Sequence, residues 1–504
     1  MSRRRLLWLC LALAPSAHGE GLPLPEAPVR LVIPDPAAFD KALSGSFRNA
    51  LQGEAAAEDP GVAAFRQSPV GSKLEAQWEK LSGDLPWTWK EIRQLRPSRV
   101  GLALLSVGNL EAVIVVETPL AVLPASLPPG TAKSHGGVAY HLVSPGAGDE
   151  ARDPVRRAGL AWAQRSGALY LATSERGLLL ALDAPAGVVP GLDGLVSLDL
   201  DLDALARDRY FRREFLPGPP GDRGHVRAAL RLEGGNLVEV REGSGEPGSP
   251  ALVFDAPGAA AAGWEPDGAS FFNALRSGLL EPLASLSDTP VPSLEPLPVT
   301  RPATDDRLLV NFEKPRPAAG QSPADPGELA QWGQLLHAQP VEAWGYLLGR
   351  EGERRLVFRW PSQQDDRLIG LCRATLERRS GPSTLGTVGD IREIRVGPDL
   401  PALALRRVGE AVWIGPSAAS LKEVPPLRPG GDVVRWAILD LEAVRAEAPR
   451  WRRAEGPANP DRIRPFSDRV LGVLGWMPRT RTLSVERRKT AGGWSERVVL
   501  GAAP

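Results

Sequence analysis

Ala168-Leu-Tyr-Leu-Ala-Thr-Ser174, running straight into Glu175–Leu182, decides how this chain is read. A short apolar run bounded by polar residues reads as a buried strand, and a hydroxyl residue just ahead of a helical pattern reads as a helix start. The same design returns far downstream, where Ala411-Val-Trp-Ile-Gly-Pro-Ser417 leads into Ala418–Val424. Ser174 and Ser417 stand 243 positions apart.

Outward from these junctions, more pairs fall near that spacing. Gly101-Leu-Ala-Leu-Leu-Ser-Val-Gly108 with Ala112–Pro119 reads as two strands around a Gly-Asn turn, and Gly345–Gly352 with Arg355–Pro361 has the same design. Gly101 to Gly345 is 244 positions and Pro119 to Pro361 is 242. Strand Leu195–Leu200 before Asp201–Asp208 echoes strand Val433–Leu439 before Asp440–Glu447, with Asp201 and Asp440 separated by 239. Each half then closes on a hairpin pattern, around Gly234-Gly235 in one and Gly492-Gly493 in the other. Regular spacing of this kind points to an internal repeat. The expected fold class is therefore α+β: two copies of a mixed strand and helix unit, their antiparallel-rich sheets covered by helices on one face.

Domain limits follow from composition. Residues 20–287 make the first expected domain, closing on the helical pattern Phe271–Leu286 and carrying a mostly helical insert near 50–85. Residues 288–302 hold five Pro and no helical period, as a stiff extended linker does. Residues 303–504 make the second domain, with a Pro/Gly-rich loop at 315–326.

Residues 1–19 read as a secretory signal peptide. Arg3-Arg4-Arg5 precede the apolar run Leu6–Ala14, Pro15 breaks it, and Ala17-His18-Gly19 supplies small residues for cleavage. The run is too short for a bilayer core that needs ~20 residues, so no membrane span is expected after cleavage. The expected location is the periplasm or the medium, by either the general or the twin-arginine route.

Across 504 residues, 60 basic side chains balance 60 acidic ones. Zero net charge argues against a nucleic-acid binder. Residues 428–497 carry 15 basic and nine acidic side chains, a bias that suits a solvated surface or contact with an anionic envelope polymer.

The search for chemistry assigns no catalytic, cofactor-binding or metal-binding residue. Ser174, Ser417, Asp201 and Asp440 each sit where a strand gives way to a helix, so capping explains them. Asp199-Leu-Asp201-Leu-Asp203 opens like a calcium loop, but Ala204 and Tyr210 stand where Gly and Glu are needed; alternation reads it as a strand with one wet and one dry face. His135 and His141 flank Gly136-Gly137 without a third zinc ligand nearby. Gly146–Ala151 has the glycine spacing of a dinucleotide loop without the helix that must follow. Trp87 and Trp89 suit sugar stacking, but no companion polar cluster orients a ligand, so anchoring a small core or interface explains them better. Cys372, the one cysteine left after cleavage, lies in the apolar run Leu368–Cys372 and reads as a buried, unpaired thiol.

Several further segments carry a family resemblance. Val29–Ile33 with Pro36–Leu43, Trp89–Leu95 with Val100–Leu105, Leu169–Ser174 and Ser197–Asp201 follow one another as in an exported bacterial family known only as a domain of unknown function. The chain resembles that family over most of residues 29–243 and more weakly over 306–500. The resemblance implies an architecture and supplies no activity. The expected function is a non-catalytic envelope protein that binds a protein or polymer partner, or serves as a scaffold, without a cofactor. The alternative is an exported hydrolase whose site assembles from scattered residues.

Overall fold

A computed structural model of the chain describes residues 22–46, 94–106, 111–119, 130–143, 160–185, 192–208, 224–266, 341–349, 353–396, 403–444 and 480–502, with single positions at 127, 271, 275, 331, 332, 334, 335 and 446. The chain divides into two compact units. Residues 1–247 with 475–504 form one, and residues 248–474 form the other.

The first unit contains β1 (Val29–Ile33), α1 (Pro36–Ser46), β2 (Arg99–Ser106), β3 (Glu111–Glu117), β4 (Thr131–His135), β5 (Val138–Val143), β6 (Leu160–Arg165), β7 (Ala168–Ala172), α2 (Glu175–Asp183), β8 (Val196–Asp201), α3 (Leu202–Arg207), β9 (His225–Glu233) and β10 (Asn236–Gly243). The end of the chain adds β21 (Thr480–Thr490) and β22 (Gly493–Ala502). The strands pair antiparallel in the order β4-β5-β6-β7-β3-β2-β1-β8-β9-β10-β22-β21. Tight turns set this pattern. Gly136-Gly137 and Gly234-Gly235 join β4 to β5 and β9 to β10 with positive φ at both positions, as a type I′ hairpin requires. The last hairpin turns one residue earlier than its glycine pair suggests, at Ala491-Gly492, because Gly493 already pairs with Thr490.

Alternation along the strands gives this sheet two apolar faces. Val113, Val115, Tyr170 and Ala172 lie under Leu178, Ala181 and Leu182 of α2, with Leu22 and Leu24 beside them. Val100, Val116, Leu169 and Leu171 face the other way and pack with Leu95 and Trp162.

The second unit contains β11 (Leu252–Val253), β12 (Ala261–Glu265), β13 (Trp344–Leu348), β14 (Arg354–Arg359), α4 (Asp365–Ser380), β15 (Thr384–Val388), β16 (Ile391–Arg395), β17 (Leu403–Val408), β18 (Ala411–Gly415), α5 (Ala418–Leu421), β19 (Arg428–Pro429) and β20 (Val433–Asp440). Its main sheet is antiparallel in the order β15-β16-β17-β18-β14-β13-β12-β20, and β11 pairs with β19 apart from it. Numbering only this sheet's own strands from β12, that order is 4-5-6-7-3-2-1-8, the order in which β1 to β8 pair in the first unit. Both faces are covered. Leu356, Phe358, Val412 and Ile414 lie with Leu368, Ile369, Cys372 and Leu376 of α4. Val357, Trp413, Ala404 and Ile391 face the opposite way, with Ala418 and Leu421 of α5 and with Phe254.

These findings correct the expected fold class. Among the described residues strand outweighs helix, 50% to 20%, the helices do not form a layer over one face, and a two-copy repeat is not shown. In the second unit α4 and α5 pack on opposite faces. The physical reason lies in element length: α4 has 16 residues, α1 eleven, α2 nine, α3 six and α5 four, too few to cover sheets of twelve and eight strands. β11 and its flanking residues Ala251 and Phe254 also pack against the α5 side of the second sheet. Pairing also carries the closing hairpin to the first unit rather than the second, with Leu237 opposite Leu500 and Gly243 opposite Trp494. Residues 1–19, 50–85, 288–302 and 315–326, and all of 271–286 except 271 and 275, lie outside the described residues.

Candidate functional site

The most site-like cluster joins three strands of the first unit. Register places Arg30 of β1 directly opposite Asp199 of β8, and His225 of β9 opposite Asp201, one step along the same sheet face. Arg30 donates from Nε and Nη2 to Asp199 Oδ2, at 3.0 and 2.6 Å. His225 Nε2 comes within 2.7 Å of Oδ1. That contact is close but poorly aligned, since Oδ1 has no hydrogen-bond partner. Asp199 is 2% exposed, whereas the His225 side chain is 42% exposed. A buried carboxylate thus stands beside an imidazole that solvent can reach.

The wet-face reading of Asp199 is therefore corrected: the guanidinium of Arg30, 169 positions earlier, covers it. The other two aspartates of the run are engaged separately. Asp201 accepts from Ala204 N at 2.8 Å and caps α3, while Asp203 accepts from Gly224 N at 3.2 Å. Three aspartates turned to three different donors do not form a calcium loop. Among the described residues no group of three or more His, Cys, Asp or Glu is arranged to hold a metal ion. His135 sits 2.8 Å from Asp183, and His141 stacks on Trp162 at 4.0 Å, so each ring has its own neighbour.

The capping residues do what their positions suggest. Ser174 accepts from Gly177 N at 2.9 Å, Ser417 from Ser420 N at 3.2 Å, and Asp440 from Glu442 N and Ala443 N at 3.0 Å. Two buried carboxylates that sequence reasoning passed over stand beside the serine caps. Glu111 accepts from the Ser174 hydroxyl at 2.7 Å, and Glu393 accepts from Ala418 N at 2.8 Å. At the outer end of the first sheet, Glu175 accepts from Tyr140 and Lys133, which hold its carboxyl below the usual range.

A second cluster was equally invisible locally. Arg241 donates two bonds to Glu239, at 2.6 and 2.7 Å, and one to Glu496 at 2.7 Å. Arg487 donates to the other oxygen of Glu496 at 3.0 Å and lies 4.0 Å over the Trp494 ring. Burial works against the charge of Arg241, but the two glutamates outweigh it and hold the guanidinium above its ordinary value. Two cations and two anions balance one another, and Arg241 and Glu496 stand 255 positions apart.

Comparison with protein-family models, curated proteins and solved structures gives no match. The site must be weighed on its own geometry.

That geometry includes an exposed strand at the margin of the second unit's sheet. β15, Thr384-Leu-Gly-Thr-Val388, is exposed at all five positions, carries no charge, and pairs only with β16 among the described residues. The corresponding margin of the first sheet, β4, is tied down: Lys133 donates to Glu175, and His135 meets Asp183. Cys372, in contrast, is sealed within the second core, where burial pushes its thiol up to about 12. Residues 87–89 and 146–151 lie outside the described residues. No described helix is long and apolar enough to cross a membrane.

Proposed function

We propose that this is an exported envelope protein that binds a partner or serves as a scaffold, and that it engages an extended segment of that partner along the edge of β15. The observation that carries the reading is the exposed, uncharged strand Thr384–Val388. A sheet edge offers a row of backbone donors and acceptors, and natural proteins usually blunt such edges with charge, bulges or proline. An edge left open suits strand addition, in which main-chain bonds supply affinity and side chains at alternate positions supply selectivity. Export rests on the order of charge, apolar run and small residues at 3–19.

The test places a photo-crosslinking side chain at Thr387 and illuminates the mature protein in envelope extract. A discrete adduct is expected, and it should disappear when a lysine replaces Gly386. No adduct, or one that survives that substitution, overturns the reading. N-terminal sequencing of host-derived protein should begin at Glu20; an intact Met1 on the mature pool would refute export.

One observation favours a second reading, an exported hydrolase: the Asp199 and His225 pair, with its imidazole open to solvent. Ser244 lies nearby, but its hydroxyl accepts from the backbone N–H of His225. Hydrolysis of a panel of ester and amide substrates that is lost in His225→Ala, with folding intact, would establish this alternative.

A further inference from the structure

We propose that residues 22–28 form a strap that seats on the first sheet only after the leader is cut away, so that the first unit stays open through transport; this rests on the export reading above. The bond between Gly19 and Glu20, where the small-residue pattern places cleavage, lies close ahead of Leu22. Leu22 is 2% exposed and Leu24 7%. Both belong to the core that α2 covers, with Ala103, Val113, Tyr170 and Leu178.

The sheet is shaped to receive them. Gly101 of β2 lies beneath the strap, and a Cβ there would stand 2.7 Å from Leu24 Cδ1 and 3.1 Å from Leu22 Cδ1. A glycine inside a strand marks a close approach of this kind. Leu24 N donates to Leu22 O at 2.8 Å, a tight turn between the two leucines. At the far end Asp201 N donates to Pro28 O at 2.9 Å, just before β1 enters the sheet between β2 and β8. Pro23 and Pro25 have no backbone N–H to donate, so side-chain burial rather than a strand ladder holds the segment.

Seating and cutting exclude one another. A peptidase acts on chain that is locally open, and it holds residues on both sides of the bond in extended form. With Leu22 and Leu24 buried, the stretch beyond the bond is out of its reach. Cutting therefore comes first, from an open chain, and closure second. Of the two export routes the leader allows, this order assigns the general one, which threads unfolded chains. The twin-arginine route carries folded proteins and would deliver a closed substrate.

The test uses the full precursor, residues 1–504, and the host's signal peptidase in detergent micelles. Precursor diluted from urea directly into peptidase should be cut after Gly19. Precursor allowed to refold first should be cut about ten-fold more slowly, or slower still, because cleavage follows the open fraction. Leu24→Ala removes the strap's grip, and Gly101→Ala pushes against the Leu24 tip. Each should restore fast cleavage of the refolded precursor. Cooperative melts by circular dichroism separate an unseated strap from an unfolded unit, and Leu24→Val serves where a melt is lost. Refolded wild type cut as fast as the urea-diluted form, or resistance that survives both substitutions, overturns the inference and leaves export standing. If neither form is cut after Gly19, the export reading fails and the order of events with it. In the host, mature protein should persist when the twin-arginine translocase is absent; its loss there also overturns the inference.

Discussion

Glu496 in the first unit and Trp413 in the second lie equally deep, at 1% and 0% exposed, yet their polar atoms are treated in opposite ways. Both carboxylate oxygens of Glu496 accept from arginines. The indole N–H of Trp413 has no partner, and neither do those of Trp264 and Trp360 in the same unit. A buried carboxylate cannot be left bare, because an unpaired buried charge costs several kcal/mol, on the order of 3–5 when its partner is deleted. A neutral donor left unpaired costs about 1–3 kcal/mol, which an indole can recover through its large apolar surface. Phe254 shows how: it meets Trp413 and Trp436 edge-on, with ring centres 5.5 and 4.9 Å away. Around Glu496 the first unit depends on pairing, and around Trp413 the second depends on shape.

The sharpest way to break this comparison is Glu496→Ala. Removing the shared acceptor leaves Arg241 with only Glu239 in a buried setting, and should cost about 3–5 kcal/mol in a urea melt of the first unit. A loss under about 1 kcal/mol would mean the cluster is solvated and the contrast unsound. Next comes Trp413→Phe, which removes the unpaired N–H along with part of the ring. Lost volume and relieved donor oppose each other, so a net change within about 1–2 kcal/mol is expected, far below the 3–5 of a truncation to alanine. Smaller again are Ser174→Ala and Ser417→Ala, one cap in each unit, at about 1 kcal/mol apiece. Thermal melts should show Ser174→Ala as the more costly, because it also strips a donor from buried Glu111.

Two further measurements sharpen the contrast. Cys372 should react with thiol reagents only as the second unit unfolds, since the protonated thiol is a poor nucleophile. Rapid modification in native buffer would show that this core opens readily. Glu175 titrates below its ordinary value in the folded chain because of Tyr140 and Lys133. Its contribution is complete above the ordinary glutamate range and is lost as pH falls through the lowered value. Acid titration followed by NMR should therefore show α2 loosening from β4 and β5 only on the acidic side, and Glu175→Gln should flatten that response.

What could be read from sequence followed locality. The runs at 101–106, 168–172 and 411–415 are strands, and 433–439 lies within one, because apolar runs between turns need only neighbouring residues to be recognised. The four caps were legible for the same reason. Buried charge was not. Glu239 and Arg241 on β10, like Glu486 and Arg488 on β21, look in sequence like the polar side of an alternating strand. Only pairing with Glu496, far along the chain, shows that one of these polar stripes faces inward. The fold class failed through a related gap: helical spacing was visible, but nothing local says how many strands a short helix must cover, or on which face. At β15, alternation and turn residues mark a strand, while its place at the margin of the sheet depends on the chain from residue 344 to 415.

The return of the last hairpin to the first unit also sets a timetable. A polypeptide emerges amino end first, so every described strand of residues 248–474 is synthesised before β22 exists. Until then β10, with Leu237, Val238 and Val240, has only β9 beside it, and its other edge stands open. At ~5–20 residues per second, translation of the intervening stretch lasts roughly ten to fifty seconds. For that interval the newborn chain carries a sticky, unfinished margin in its earlier half while its later half can already fold. A chaperone that shields extended segments, or an export route that keeps the chain unfolded until it is fully across, would spare it the hazard.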